Sequence, residues 1–287
     1  MPTPDLNTFK LPLLRRLFVL VIAACLPGCH MAQKTFSVDK PRSHRTATDH
    51  FEIRSDFRIA KDSPLVLELE ELQKQITSAL QLPKQRDPVV VYLFSDEQTY
   101  RNYMQTTWPT LPARRAYFVG TSRELAVYSF HSETIQEDLR HEFTHGLLHA
   151  SLNTVPLWLD EGLAEYFEVR GREVGREHSG HVKYLQTARV NGWTPSLYKL
   201  EQMSDFQKMT QQDYAESWGW VHFMLHTNEQ TRQVLINYLA ELETRTVPGK
   251  LLPLLEKAAP SYYDGMLSHV SNMSRGIEFA SHTTPTR

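Results

Sequence analysis

The pentapeptide His141-Glu142-Phe143-Thr144-His145 constrains this 287-residue chain more than any other stretch. Two histidines four residues apart on a helix are turned by about 40° from each other and offset by about 6 Å along the axis. Both imidazoles then reach one point beside the helix, at the roughly 2.0–2.1 Å of a zinc–nitrogen bond. Glu142 lies one step round from His141 and overhangs that point, where it can take a proton from a metal-bound water. The context is helical, because Ile135, Leu139, Phe143 and Leu147 recur at four-residue spacing. Ser132 is the expected cap of this helix. Glu133, Glu137 and Asp138 stand early in it, where the macrodipole favours anions.

The helix should break at Ser151-Leu152-Asn153-Thr154. Pro156 suits the first turn of a second helix, where its missing N–H leaves no partner unmet. A short connection makes the two helices neighbours. An open tetrahedral zinc site needs a third protein ligand. His149 lies about 12 Å along the axis from His141, too far for three ligands strung along one helix to close on one ion. The third histidine of the H-E-x-x-H-x-x-G-x-x-H pattern is absent, since Leu148 and Ser151 occupy the places of its glycine and last histidine. Glu161, on the second helix, remains and can face back across the interhelical gap.

His141-Glu142-x-x-His145 followed by Trp158-Leu159-Asp160-Glu161-Gly162-Leu163-Ala164-Glu165-Tyr166 resembles the motif pair of gluzincin metallopeptidases. The second motif is close to the W-L-N-E-G-x-A pattern of the aminopeptidase branch. The nearest likeness is to a bacterial, often lipoprotein-like family with a gluzincin core, in the peptidase MA-like group. It spans roughly residues 51–273, strongly at the two motifs and weakly elsewhere. The resemblance implies an α+β, zincin-like domain: a small mixed sheet packed on the active-site helix, followed by a mainly helical half. It also implies one zinc ion held by His141, His145 and Glu161, with only fifteen residues between the last two. In thermolysin-like members the carboxylate four residues after the third ligand orients a zinc histidine, a role that falls to Glu165. The alternative for Glu165 is a surface pairing with Arg140. Asp160 is either a second orienting carboxylate or an exposed polar residue. Gluzincins often supply a Tyr or His from a later helix to the oxyanion, and Tyr214 is the candidate here, ahead of His222 and His226. Tyr214 could equally pack at the start of the apolar helix that carries Trp218, Val221, Phe223 and Leu225.

The expected chemistry is hydrolysis of a peptide or protein substrate by metal-activated water, with Glu142 as general base. A non-catalytic metal-binding scaffold and a hydrolase of non-peptide amides or esters are the rival readings. An intact Glu142 argues against the scaffold, which needs no base. A formal net charge of −2, with scattered Lys and Arg, offers no footprint for nucleic acid.

The amino terminus carries Arg15-Arg16 ahead of ten apolar residues, 17–26. Ten residues cannot span a bilayer, which takes about 20 in a helix, but they suit the apolar region of a secretory signal. Leu26-Pro27-Gly28-Cys29 resembles a bacterial lipobox, which makes Cys29 the expected lipidation site. Cys25 is the alternative, with a shorter apolar run before it. Both cysteines of the chain lie here, so the mature domain has no disulfide. The reading is an exported lipoprotein anchored to a membrane of the cell envelope. Residues 1–29 form the signal, 30–47 a polar tether, 48–274 the metallopeptidase domain and 275–287 a polar tail.

Strands are expected at 51–55, 88–94, 117–119 and 125–130, and helices at 65–82 and 96–104, the latter capped by Ser95. The strand leading into the metal helix, 126–130, is expected to receive extended substrate by strand addition, unless it is an interior strand. Residues 170–181 read as a surface loop in which His178 and His181 have ligand-like spacing but no companion. Further helices are expected at 182–190, 217–226, 230–242, 251–258 and 262–273.

Overall fold

The computed structural model describes residues 39–169 and 177–273. The expected signal, Cys25, Cys29, the first part of the tether and the tail lie outside the described residues. No described helix is long and apolar enough to cross a membrane.

The architecture is α+β. Five strands form one mixed sheet in the order β1-β2-β3-β5-β4: β1 (His44–Ala47), β2 (Phe51–Ser55), β3 (Val89–Phe94), β4 (Ala116–Gly120) and β5 (Leu125–Phe130). β2, β3 and β5 run parallel, while β1 and β4 close the two edges antiparallel. β1 begins inside the stretch read as a tether. Its Thr46 is buried and donates to the Ile59 carbonyl (2.7 Å), so the ordered domain starts earlier than polarity alone suggests.

The run of apolar residues in β3 is buried on both faces, as such a run should be. Val89, Val91 and Leu93 face α1 (Pro64–Leu80) and α3 (Ile135–Ser151). Val90, Tyr92 and Phe94 face the other way, towards Tyr100, Tyr103 and Met104 of α2 (Glu97–Thr107). Asp96, not Ser95, caps α2, its carboxylate accepting from the Thr99 N–H (2.8 Å). α3 has no side-chain cap. Its N-cap is Thr134, and Ser132 lies outside it.

The second half is helical among the described residues: α4 (Leu157–Glu168), α5 (Ser179–Val190), α6 (Leu197–Leu200), α7 (Gln211–His226), α8 (Glu229–Leu242), α9 (Leu252–Ala258) and α10 (Tyr262–Asn272). Pro156 precedes α4 as its N-cap rather than standing in its first turn. α7 starts six residues earlier than the apolar pattern predicts, because Thr210 and Asp213 form a reciprocal capping box: each backbone N–H donates to the other's side chain (2.8 and 3.3 Å).

Two glycines set the spacing of the layers. A Cβ at Gly146 would meet Val89 Cγ1 at 2.7 Å, so α3 lies close on β3. A Cβ at Gly162 would meet the Ser217 carbonyl oxygen at 2.6 Å, so α4 is pressed against the backbone of α7. The fully buried Trp158, Trp218 and Trp220 fill the surrounding space. Gly162→Ala should therefore destabilise the fold by about 1–3 kcal/mol in urea unfolding, since backbone cannot yield as a flexible side chain does. An unchanged midpoint would contradict this close contact.

Candidate metal centre

α3 and α4 bring His141, His145 and Glu161 together. His145 Nε2 is 3.3 Å from His141 Nε2, and Glu161 Oε2 is 3.7 Å from each. One point can lie at about 2.1 Å from three atoms so spaced, which is the bond length of zinc to imidazole or carboxylate. His145 and Glu161 are buried, and Glu161 Oε2 has no hydrogen-bond partner. A buried, unpartnered carboxylate oxygen facing two ring nitrogens is the donor set of a divalent ion of borderline softness. These residues fit a metal.

The far nitrogens of the two rings both face carboxylates. His145 Nδ1 lies 3.0 Å from Asp160 Oδ1, while Asp160 Oδ2 lies 3.0 Å from His149 Nε2. Asp160 is thus clamped between two imidazoles, and Phe118 stacks on His149 with ring centroids 5.2 Å apart. His141 Nδ1 meets Glu168 Oε2 at 2.9 Å. Glu168 stands where sequence reasoning placed Glu165. The Glu165 carboxylate instead meets His181 Nε2 at 2.8 Å and remains near His141 without a hydrogen bond to it. Arg140 pairs with neither. It is buried, donates to the carbonyls of Phe167 (2.9 Å) and Glu168 (3.1 Å), and pairs with Glu68 (2.7 Å). These bonds satisfy the last carbonyls of α4 and hold its end, with Glu168, against α3.

Burial by itself would lower the pKa of both motif histidines, yet both are raised. Glu161 and Glu168 lift His141 well above its ordinary value, and Asp160 lifts His145 to about 9. Burial would raise Asp160, but the flanking imidazoles hold it below its ordinary value. Without an ion, then, His145 carries a proton at pH 7. Metal binding must expel that proton and the one on His141, so apparent affinity rises with pH through neutrality.

Glu142 is buried beside the ligands, and its Oε2 accepts the Phe118 N–H at 2.6 Å. That N–H belongs to β4, the edge strand. β5, expected as the substrate strand, lies between β3 and β4 with its ladder bonds used on both sides. The Tyr214 hydroxyl is buried beside the Arg114 guanidinium without a well-directed bond to it. Burial and the nearby Glu161 raise its pKa, so it stays an O–H donor at neutral pH. His226 instead bonds the Tyr166 hydroxyl (2.7 Å), and His222 meets His269 (2.8 Å).

Two recesses flank the centre. One, about 380 Å³, is lined by Trp108, Leu111, Phe118, Leu157 and Phe206 together with the two histidines and Glu161. The other, about 300 Å³, is charged, with Arg114, Arg115, Glu137, Asp138 and Glu168. Arg114 stands in both. It sits in an irregular stretch before β4, and no pattern marks it in the sequence.

Residues 134–248 match a family described as proteins of unknown function, DUF1570. The match takes in both helices of the centre and runs to α8, leaving the sheet outside it. Comparison with curated proteins gives no match.

An orienting partner fixes a ligand's tautomer and angle. Asp160→Ala should therefore weaken zinc binding about 10–100-fold in chelator competition. Unchanged affinity would remove Asp160 from the centre.

Proposed function

We propose that this chain is a gluzincin-type zinc metallopeptidase that hydrolyses peptide bonds. The observation that carries the reading is the meeting of His141 Nε2, His145 Nε2 and the unpartnered Glu161 Oε2 beside Glu142. A zinc ion held there would polarise the scissile carbonyl and acidify a bound water towards a pKa of about 7. Glu142 would take the proton of that water and pass it to the leaving amine. The Phe118 N–H holds one Glu142 oxygen and leaves the other for this work. The Tyr214 O–H is the donor for the oxyanion.

β4 supports a peptide substrate. The Phe118 N–H points away from β5, and outward groups alternate along an antiparallel edge, so Ala116, Phe118 and Gly120 share that orientation. An extended substrate can pair with the outward groups of Ala116 and Gly120 and with the Phe118 carbonyl, the Phe118 N–H being held by Glu142, while its side chains enter the two recesses. The reaction is assigned to the cell envelope, with Cys29 as lipid anchor. Palmitate label present in wild type and lost in Cys29→Ala is the expected result, and an unlabelled wild type would refute the anchor.

Glu142→Gln should keep its metal and lose turnover by at least about 100-fold on a peptide library. Tyr214→Phe should lower kcat about 100- to 1,000-fold with little change in KM. Wild-type cleavage by Glu142→Gln would end the general-base assignment.

A further inference from the structure

A second group of metal-type donors lies behind His141. α4 presents Glu165 and Glu168 one turn apart, and the start of α5 presents His178 and His181 opposite them. His181 Nε2 is 2.8 Å from Glu165 Oε2, and His178 Nε2 is 4.0 Å from Glu168 Oε1. The two imidazoles stack with centroids 4.0 Å apart and planes inclined by 25°. Trp218 walls the pair on one side, 5.6 Å from the His181 ring. One donor atom from each of Glu165, His178 and His181 lies within 4.8 Å of the others.

We propose that Glu165, His178 and His181 hold a second divalent metal ion, of the zinc or cobalt class, separate from the first. Two imidazoles and a carboxylate select that class over calcium or magnesium, which take oxygen ligands. Among the described residues no Lys or Arg pairs with Glu165 or Glu168, so imidazoles are the cationic partners that these carboxylates have there. A bound ion would draw His178, the looser member, towards Glu165. His178 Nδ1 accepts the His181 N–H at 3.2 Å as the cap of α5, which leaves Nε2 to face an ion. Coordination through Nε2 places the ring proton on Nδ1, and that cap bond opens.

Glu168 joins the two centres, with Oε2 on His141 Nδ1 and Oε1 towards His178. An ion beside it would fix the carboxylate that orients a ligand of the first centre. The same ion would tie α5 to α4. The assignment does not require that the chain be a peptidase.

The test is a metal count on the full chain, stripped with a chelator, re-equilibrated with Zn²⁺, desalted and measured by elemental analysis. Wild type should hold two ions. His178→Ala/His181→Ala and the isosteric Glu165→Gln should each hold one fewer, the latter serving as the readout if the double variant fails to fold. Equal counts in wild type and both variants would overturn the second site. Glu161→Ala reads the first centre independently: a wild-type count there refutes that centre and leaves this one standing.

Discussion

Everything at the candidate metal centre depends on how tightly α4 is wedged between α3 and α7. Glycine at 162 lets α4 lie on the Ser217 carbonyl, and glycine at 146 lets α3 lie on β3. Arg140 ties the last carbonyls of α4 back to α3. With these contacts made, Asp160, Glu161 and Glu168 all reach α3 from one helix, and each meets a different nitrogen or pair of nitrogens. A slip of one residue between the helices would break all three together. The donors are therefore arranged before any ion arrives, and an ion gains affinity from that preorganisation.

The electrostatics have the same origin. Asp160, Glu161, Glu165 and Glu168 crowd a small volume beside the buried Glu142, with imidazoles as their cationic partners. Such a cluster is stable when the rings are protonated or when a cation replaces those protons. The raised His141 and His145 express the first state, and the expulsion of their protons on metal binding is the passage to the second.

The sequence made His141, Glu142 and His145 legible because their relation is set within one helix, by 3.6-residue geometry alone. It made Glu161 legible through the second motif. What it could not carry was the offset between helices. Glu165 and Glu168 stand four and seven residues after Glu161, on nearly the same face of α4. Only the placement of α4 against α3 and α5 decides that Glu168 meets His141 and Glu165 meets His181. Which of the two readings of β5 holds, edge or interior strand, was undecided for a similar reason. β5 leads into the metal helix and pairs with β4 through a short turn, but its other side is covered by β3, and that second pairing is non-local. Most elements followed from periodicity, and the fold class from the resemblance that the two motifs carry. The start of α7 did not, because a Thr210–Asp213 cap decided it rather than an apolar repeat.

A crystal of the zinc-loaded protein, measured at the zinc absorption edge, tests the central claim most directly. An anomalous peak should lie at about 2.1 Å from His141 Nε2, His145 Nε2 and a Glu161 carboxylate oxygen. A loaded crystal with no peak between those three side chains, or with Glu161 turned away from it, would contradict the account.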